Sequence, residues 1–247
     1  MFLVYMIAKK PPFAIKLFDM FRVRLNLFGQ IFKKAWMIMC SEMIWAIAET
    51  ITTALYNGRG GADVVSGMSA SFAISNLFFI AFSGINTSTG VILGKDLGSG
   101  KLDRAKEEKT WLLNGAIIFG IFFSGIGFLC MFLVPVVFRN LSVNSQTICR
   151  QMVLVMAIYM PAWVYINGQF SVSRAGGDTM MGMLVDGIGN LGIVIPGIFL
   201  LAKFTAIGSV GMYAIIKAVE IPKIVIAHFW LKKEKWLVNL AEKNKVR

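Results

Sequence analysis

Residues 111–138 read WLLNGAIIFGIFFSGIGFLCMFLVPVVF and contain no Asp, Glu, Lys or Arg. About 20 consecutive apolar residues are enough to cross the hydrocarbon core of a bilayer as an α-helix. A soluble protein would have to bury the whole of this run inside its core. The stretch therefore predicts a membrane-spanning helix, and the rest of the sequence can be interpreted around it.

The composition of the whole chain favours the same interpretation. Of the 247 residues, 57% are apolar and only 15% are charged, whereas an ordinary soluble domain has about 25% charged residues. Too little polar surface remains to cover a soluble protein of this size. We expect an all-α polytopic membrane protein. Its six predicted spans are residues 34–57, 64–93, 110–138, 150–173, 180–203 and 209–231.

The basic residues predict the orientation of these spans. A formal charge of +12 would suggest a nucleic-acid partner in a soluble protein, but here the basic residues bunch between the apolar runs, as juxtamembrane anchors do. Nineteen of them fall in residues 9–34, the 94–110 link, Arg174 and the tail after 231, against four in the opposite links. By the positive-inside rule both ends of the chain are cytoplasmic. We expect a lipid bilayer as partner and no nucleic acid.

Four regions follow from this pattern. Residues 1–8 are expected to be the stub of a truncated membrane helix, since the apolar run is too short to span. Residues 9–33 are expected to form a cytoplasmic linker with an amphipathic helix lying in the headgroup layer, or alternatively packed on a protein surface. Residues 34–231 form the predicted six-helix lobe, and residues 232–247 form a basic cytoplasmic tail.

The stretch CSEMIWAIAET, residues 40–50, places Glu42 and Glu49 on one helix face, because seven residues are close to two turns. A charge at membrane depth costs about 2.5–3.5 kcal/mol on insertion scales. Neither acid has a basic residue within a turn on its own helix. Each must therefore face a wet cavity, meet a cation, or hold a proton. Both are candidate ion-coupling or substrate residues. The alternative is that each is protonated and hydrogen-bonded to a neighbouring helix, and Glu49 could instead lie in water near the outer mouth.

Two further acids have simpler interpretations. Glu220 lies three residues from Lys217 and three from Lys223, so the spacing predicts a structural ion pair along one helix face. Asp186 is about two turns into its span, where it can reach cytoplasmic water.

Neutral polar residues in SNLFFIAFSGINTSTG, residues 75–90, can line a cavity shared with Glu42. The alternative is that the Ser and Gly residues of this stretch mark close helix packing. The candidate cavity-lining residues are Trp45, Asn76, Asn86, Thr87, Asn167 and Gln169.

A Pro in the middle of another span, Pro161, should bend its helix.

Catalytic and metal motifs do not emerge from the sequence. Cys40, Cys130 and Cys149 are scattered, and the single His228 cannot build a zinc site. The stretch GKDLGSG lacks the Lys-Ser/Thr ending of a phosphate-binding loop. We therefore expect neither an enzyme nor a cofactor, and no metal beyond a monovalent cation at Glu42.

Four motifs in order resemble one transporter family. They are SEMIWAIAETITTALYNGRGG (41–61), GVILGKDLGSGKLDRAKE (90–107), SRAGGDT (173–179) and WLVNLAEK (236–243). They resemble the seventh helix, two cytoplasmic loops and the tail of multidrug and toxic compound extrusion (MATE) transporters. The resemblance covers the C-terminal half of the family pattern, helices seven to twelve of a fold with two six-helix lobes.

The resemblance implies a secondary active antiporter of the cell membrane, coupled to H⁺ or Na⁺, that exports cationic or amphipathic organic compounds. Glu42 matches the seventh-helix acid of part of the family, whereas the tenth-helix acid of some members is missing, with only Asn167 and Gln169 available. It also implies an N-terminal lobe or a second copy as partner. The alternatives are a partner-dependent half with no activity alone, and a membrane scaffold that binds another protein.

Overall fold

The computed structural model describes residues 25–239, apart from the side chains of residues 25, 27, 30, 31, 33, 34, 80 and 81. This part of the chain is helical and contains no strand. Five of its segments are long and apolar enough to cross a membrane, which confirms the all-α polytopic fold. The helices are α1 (Leu25–Asn57), α2 (Gly61–Gly98), α3 (Leu102–Val137), α4 (Val143–Ala175), α5 (Met180–Gly187), a π-helix (Ile188–Val194), α6 (Ile195–Phe204), α7 (Ser209–Lys217) and α8 (Glu220–Lys232).

The sixth predicted span, 209–231, forms as two shorter helices, α7 and α8, joined by a tight turn. Pro222 has no N–H to donate to the carbonyl of Ala218, four residues before it. That carbonyl instead accepts from the N–H of Ile221 at 3.1 Å. The break therefore lies at residues 218–219, just before Pro222, whereas α4 continues as one helix through Pro161.

The fifth predicted span, 180–203, contains a π-helical segment between α5 and α6. The N–H of Ile195 donates to the carbonyl of Asn190, five residues back, which is the π-helical spacing. Pro196 follows directly and cannot supply the next N–H of an α-helical ladder. The widened turn brings Gly189 and Asn190 to the buried side of this span.

Helix α4 lies at the centre of the lobe and contacts α2, α3, α5, α7 and α8. Glycines permit the closest approaches to it. A Cβ on Gly120 of α3 would lie 2.7 Å from the Cα of Pro161, and one on Gly67 of α2 would lie 2.7 Å from the carbonyl oxygen of Ser145. Small residues let membrane helices pack backbone to backbone in this way.

The connecting segments gather at two opposite ends. At one end Lys106 of α3 pairs with Glu234 of the tail at 2.8 Å, and the indole N–H of Trp230 donates to Asp178 at 2.8 Å. At the other end Ser142 donates to Asp63 at 2.5 Å. The links that the charge pattern predicts to be cytoplasmic thus lie together at one end.

Residues 25–33 of the predicted linker continue directly into α1, so the helix begins before the predicted span at residue 34. Residues 1–24 and 240–247 lie outside the described residues. The truncated stub, most of the interfacial helix and the end of the tail therefore stay predictions.

Candidate ion and substrate site

Two neighbouring cavities lie between α1, α2 and α4. The first cavity, of about 370 Å³, is lined by Glu42, Trp45, Phe79, Phe82, Ser83, Asn86, Thr87, Trp163, Ile166, Asn167, Phe170, Arg174, Asp186 and Glu220. The second cavity, of about 210 Å³, is lined by Trp45, Glu49, Thr53, Phe72, Ser75, Asn76, Phe79, Met156, Trp163 and Tyr213. They share the aromatic side chains of Trp45, Phe79 and Trp163.

Glu42 meets a cation in the first cavity. The guanidinium Nη2 of Arg174, in the last turn of α4, donates to Glu42 Oε1 at 3.1 Å. Residue 42 is two turns from the predicted cytoplasmic edge of its span, and α4 ends at that edge. The Glu42 side chain nevertheless remains 59% exposed, so its second oxygen is open to the cavity.

Glu49 meets a different cation, in the second cavity. The ammonium of Lys217, at the end of α7, lies 3.4 Å from Glu49 Oε2. The same ammonium lies 5.0 Å from the ring centroid of Trp163 and 5.2 Å from that of Tyr213. Lys217 is thus held by one carboxylate and two aromatic faces, which attract cations at such distances.

The third cation, Lys223 of α8, is almost fully buried, with 3% of its side chain exposed. Its ammonium donates to Asp186 and Glu220 at 3.2 Å each and to the side-chain oxygen of Asn190 at 3.4 Å. Three acceptors match the three N–H groups of a lysine ammonium. Asp186 also accepts from the hydroxyl of Ser41 at 3.4 Å, which connects the group to α1.

These groups form one cluster around the two cavities, which we call the charge cluster. Within residues 25–239 it holds four carboxylates and three cations, and therefore one surplus formal negative charge. Its members are Glu42, Glu49, Arg174, Asp186, Lys217, Glu220 and Lys223. A surplus negative charge attracts a monovalent cation.

The MatE family model matches residues 37–200 of the chain. The chain belongs to the MatE family. The resemblance read from the sequence motifs is therefore confirmed, and the protein is a multi-pass membrane transporter of the multidrug and toxic compound extrusion type. A search of curated proteins found no match to the chain.

The MatE family comprises transporters and not enzymes, and the matched residues include most of the charge cluster. Glu42, Glu49, Arg174 and Asp186 lie inside residues 37–200, whereas the α7 and α8 members follow the matched region. The contribution of the last span to the site is therefore visible only in the three-dimensional contacts.

Five of the six candidate cavity-lining residues lie at the cavities of this MatE chain. Trp45 lines both, Asn86, Thr87 and Asn167 line the first, and Asn76 lines the second.

Gln169 lines neither of these two cavities, because its side chain is fully buried and donates to the carbonyl of Ile224 at 3.4 Å. The α4 residues that line the first cavity are 163, 166, 167, 170 and 174. Residue 169 lies among them in sequence, but its side chain contacts α8 instead.

The ion pair predicted on the last span differs in one partner. Glu220 and Lys223 pair at 3.2 Å as their spacing predicts. Lys217 pairs with Glu49, and no ion pair between Lys217 and Glu220 is present in the described part of the chain. The acid on another helix lies close enough to take Lys217, which a pattern within one segment cannot reveal.

The sequence does not predict the roles of three charged groups at the cavities. It indicates Arg174 only as a cytoplasmic anchor and Asp186 only as an acid near water. It pairs Lys217 with Glu220 and not with Glu49. One signal in the sequence could have found them: acids within spans need cations, and Lys217 and Lys223 are basic residues inside a predicted span.

Proposed function

We propose that this MatE chain is the ion-coupling lobe of a secondary active antiporter in the cell membrane. It exports cationic or amphipathic organic compounds in exchange for H⁺ or Na⁺. The carrying observation is the Glu42 carboxylate, which is more than half exposed at the first of two neighbouring cavities with aromatic walls.

Glu42 is the group that couples the two fluxes. Its carboxylate is held by a single contact to Arg174 and is otherwise open to the first cavity. An incoming ion and an organic cation both bind to that carboxylate, and a single negative charge cannot neutralise both cations at once. Competition for Glu42 makes binding of the ion and release of the compound alternate, as alternating access requires.

A second six-helix lobe, on this or another chain, completes the transport path. The Glu42 side chain lies inside a predicted membrane span yet is more than half exposed, and a charged group in that position cannot face lipid without a large cost. A facing lobe with a wet cleft satisfies both conditions. This favours the partner-dependent half over a membrane scaffold, for which an open charged cavity serves no purpose.

The test is Glu42→Gln, measured as efflux of ethidium from cells expressing the chain while an H⁺ or Na⁺ gradient is imposed. We expect loss of gradient-driven efflux, by at least about tenfold, at unchanged membrane abundance. Glu107→Gln is the matched control, because Glu107 is an exposed residue near the start of α3, outside both cavities.

Equal efflux from the wild type and Glu42→Gln would overturn the coupling role. Absence of efflux from the wild-type chain alone, followed by efflux when a second six-helix lobe is co-expressed, would show that the chain depends on that lobe, and Glu42→Gln is then compared with the wild type in the co-expressing cells.

A further inference from the structure

A cation that belongs to the protein itself lies beside the second cavity. The Lys217 ammonium contacts three of the residues that line it, namely Glu49, Trp163 and Tyr213. Aromatic faces with a nearby carboxylate are the arrangement by which proteins bind quaternary ammonium ligands. The Lys217 ammonium therefore already makes the contacts that a ligand cation at this cavity would need.

We propose that Lys217 is a tethered internal competitor, and that an organic ammonium binds at Glu49, Trp163 and Tyr213 by displacing the Lys217 ammonium. Lys217 then determines specificity, because a ligand binds only if it replaces the contacts of the lysine. This inference rests on the proposed export of organic cations and assigns the position of the cationic group.

The size of the cavities indicates how such a ligand lies. The second cavity, about 210 Å³, is smaller than the roughly 300 Å³ that a drug-sized ligand needs. It adjoins the first cavity through Trp45, Phe79 and Trp163. A small ammonium group fits the second cavity, while the apolar remainder of the molecule extends along the shared aromatic wall into the first.

Another carboxylate, that of Glu220, lies three residues further along the chain from Lys217. Its present partner, Lys223, keeps Asp186 and Asn190 if Glu220 turns toward Lys217. The exchange therefore leaves no cation of the charge cluster without an acceptor.

The experiment measures the Kd of benzyltrimethylammonium by calorimetry, with the full chain in lipid nanodiscs and no ion gradient. Lys217→Met removes the competing charge and should lower the Kd at least about tenfold. Lys203→Met is the matched control, since Lys203 is exposed at the end of α6 and its loss changes the net charge equally. We expect its Kd to equal that of the wild type.

A second variant separates competition from a purely structural ion pair. In Lys217→Met with Glu49→Gln both charges are gone, and the probe should bind more weakly than to Lys217→Met, because the attracting carboxylate is lost. If Lys217 only held the fold together, Lys217→Met would bind no more tightly than the wild type. That outcome overturns the inference.

A measurement on the wild-type chain covers the case in which Lys217→Met does not fold. The lysines are ¹³C-dimethylated, and the Lys217 resonance is assigned by its loss in Lys217→Arg. Addition of benzyltrimethylammonium should shift this resonance, and an unchanged resonance at saturating probe overturns the inference. Because no gradient is used, these results are independent of the Glu42 transport test.

Discussion

At the scale of single residues, Lys223 shows how the lobe tolerates a buried charge. Its ammonium has three oxygen acceptors, two of them carboxylates. Gly189 provides the space for its stem, because a Cβ there would lie 2.4 Å from Lys223 Cε. Removing one partner of a buried ion pair leaves an uncompensated charge, which costs about 3–5 kcal/mol.

Lys223→Met should therefore destabilise the protein strongly. Asp186 and Glu220 would face each other without a cation, so the melting temperature should fall by several degrees in detergent. Thermal unfolding followed by circular dichroism measures the change. Lys232→Met, an exposed lysine at the end of the same helix, should unfold like the wild type.

Restoring stability by neutralising the acids would confirm the cause. Adding Asp186→Asn and Glu220→Gln to Lys223→Met should recover part of the lost melting temperature. If the melting temperature does not recover, the packing of the Lys223 stem, and not its charge, stabilises the lobe.

The contacts of single charged residues also show what the sequence alone cannot predict. Glu42 and Glu49 stand out because acids are costly in apolar runs, so both could be found without a structure. Their partners Arg174 and Lys217 lie more than a hundred residues away, and each could have been paired locally or left to water. Spacing along one segment contains no information about such distant contacts.

At the scale of helices, α4 organises the lobe through glycines on its neighbours. Gly120 of α3 meets Pro161, and Gly127 of α3 meets Ala157, where a Cβ would lie 2.9 Å from the Ala157 Cβ. Gly125 lies on the same helix between them in sequence and has nothing within 4 Å of its Cβ position. One face of α3 thus requires glycine and another does not.

Gly120→Ala should separate α3 from α4 and destabilise the protein by about 1–3 kcal/mol, the usual cost of overpacking. Gly125→Ala should be neutral, because its methyl group enters open space. Thermal unfolding of the two variants side by side provides the comparison. Equal melting temperatures would contradict the close packing of α3 on α4.

Only some of the predicted spans form continuous helices. The first four spans are single helices, as their apolar runs predict. The last two are interrupted, by the π-helix before Pro196 and by the turn before Pro222, whereas Pro161 interrupts nothing. A proline removes one hydrogen bond in every case, and the neighbouring helices decide how the freed carbonyl is accommodated.

At the scale of the whole molecule, the two ends differ in charge and in packing. The end that the charge pattern predicts to be cytoplasmic binds the tail tightly, since Trp236 is almost fully buried and its backbone lies against Gly176. At the opposite end the guanidinium of Arg59 donates to the carbonyls of Leu201, Ala202 and Thr205 near the end of α6.

Cysteine labelling should place these ends on opposite sides of the membrane. In a variant with Cys40, Cys130 and Cys149 changed to Ala, we expect Lys101→Cys to react with an impermeant maleimide only after the cells are opened. Asn140→Cys should react on intact cells. Both positions are exposed, and only α3 lies between them. Labelling of both from the same side would contradict a crossing of the membrane by α3, and with it the even number of spans.

The sequence by itself determined the class of the protein, the family, the position of most spans and the two unusual acids of α1. The hydropathy and charge of each segment can be evaluated separately, because the bilayer places the same constraints on every span. Only the tertiary structure decided that Glu42 meets Arg174, that Glu49 meets Lys217 between two aromatic rings, and that Gln169 faces away from the cavities. The physical reason is that a buried charge is stabilised by whichever group packing brings within about 4 Å, and packing depends on the whole fold.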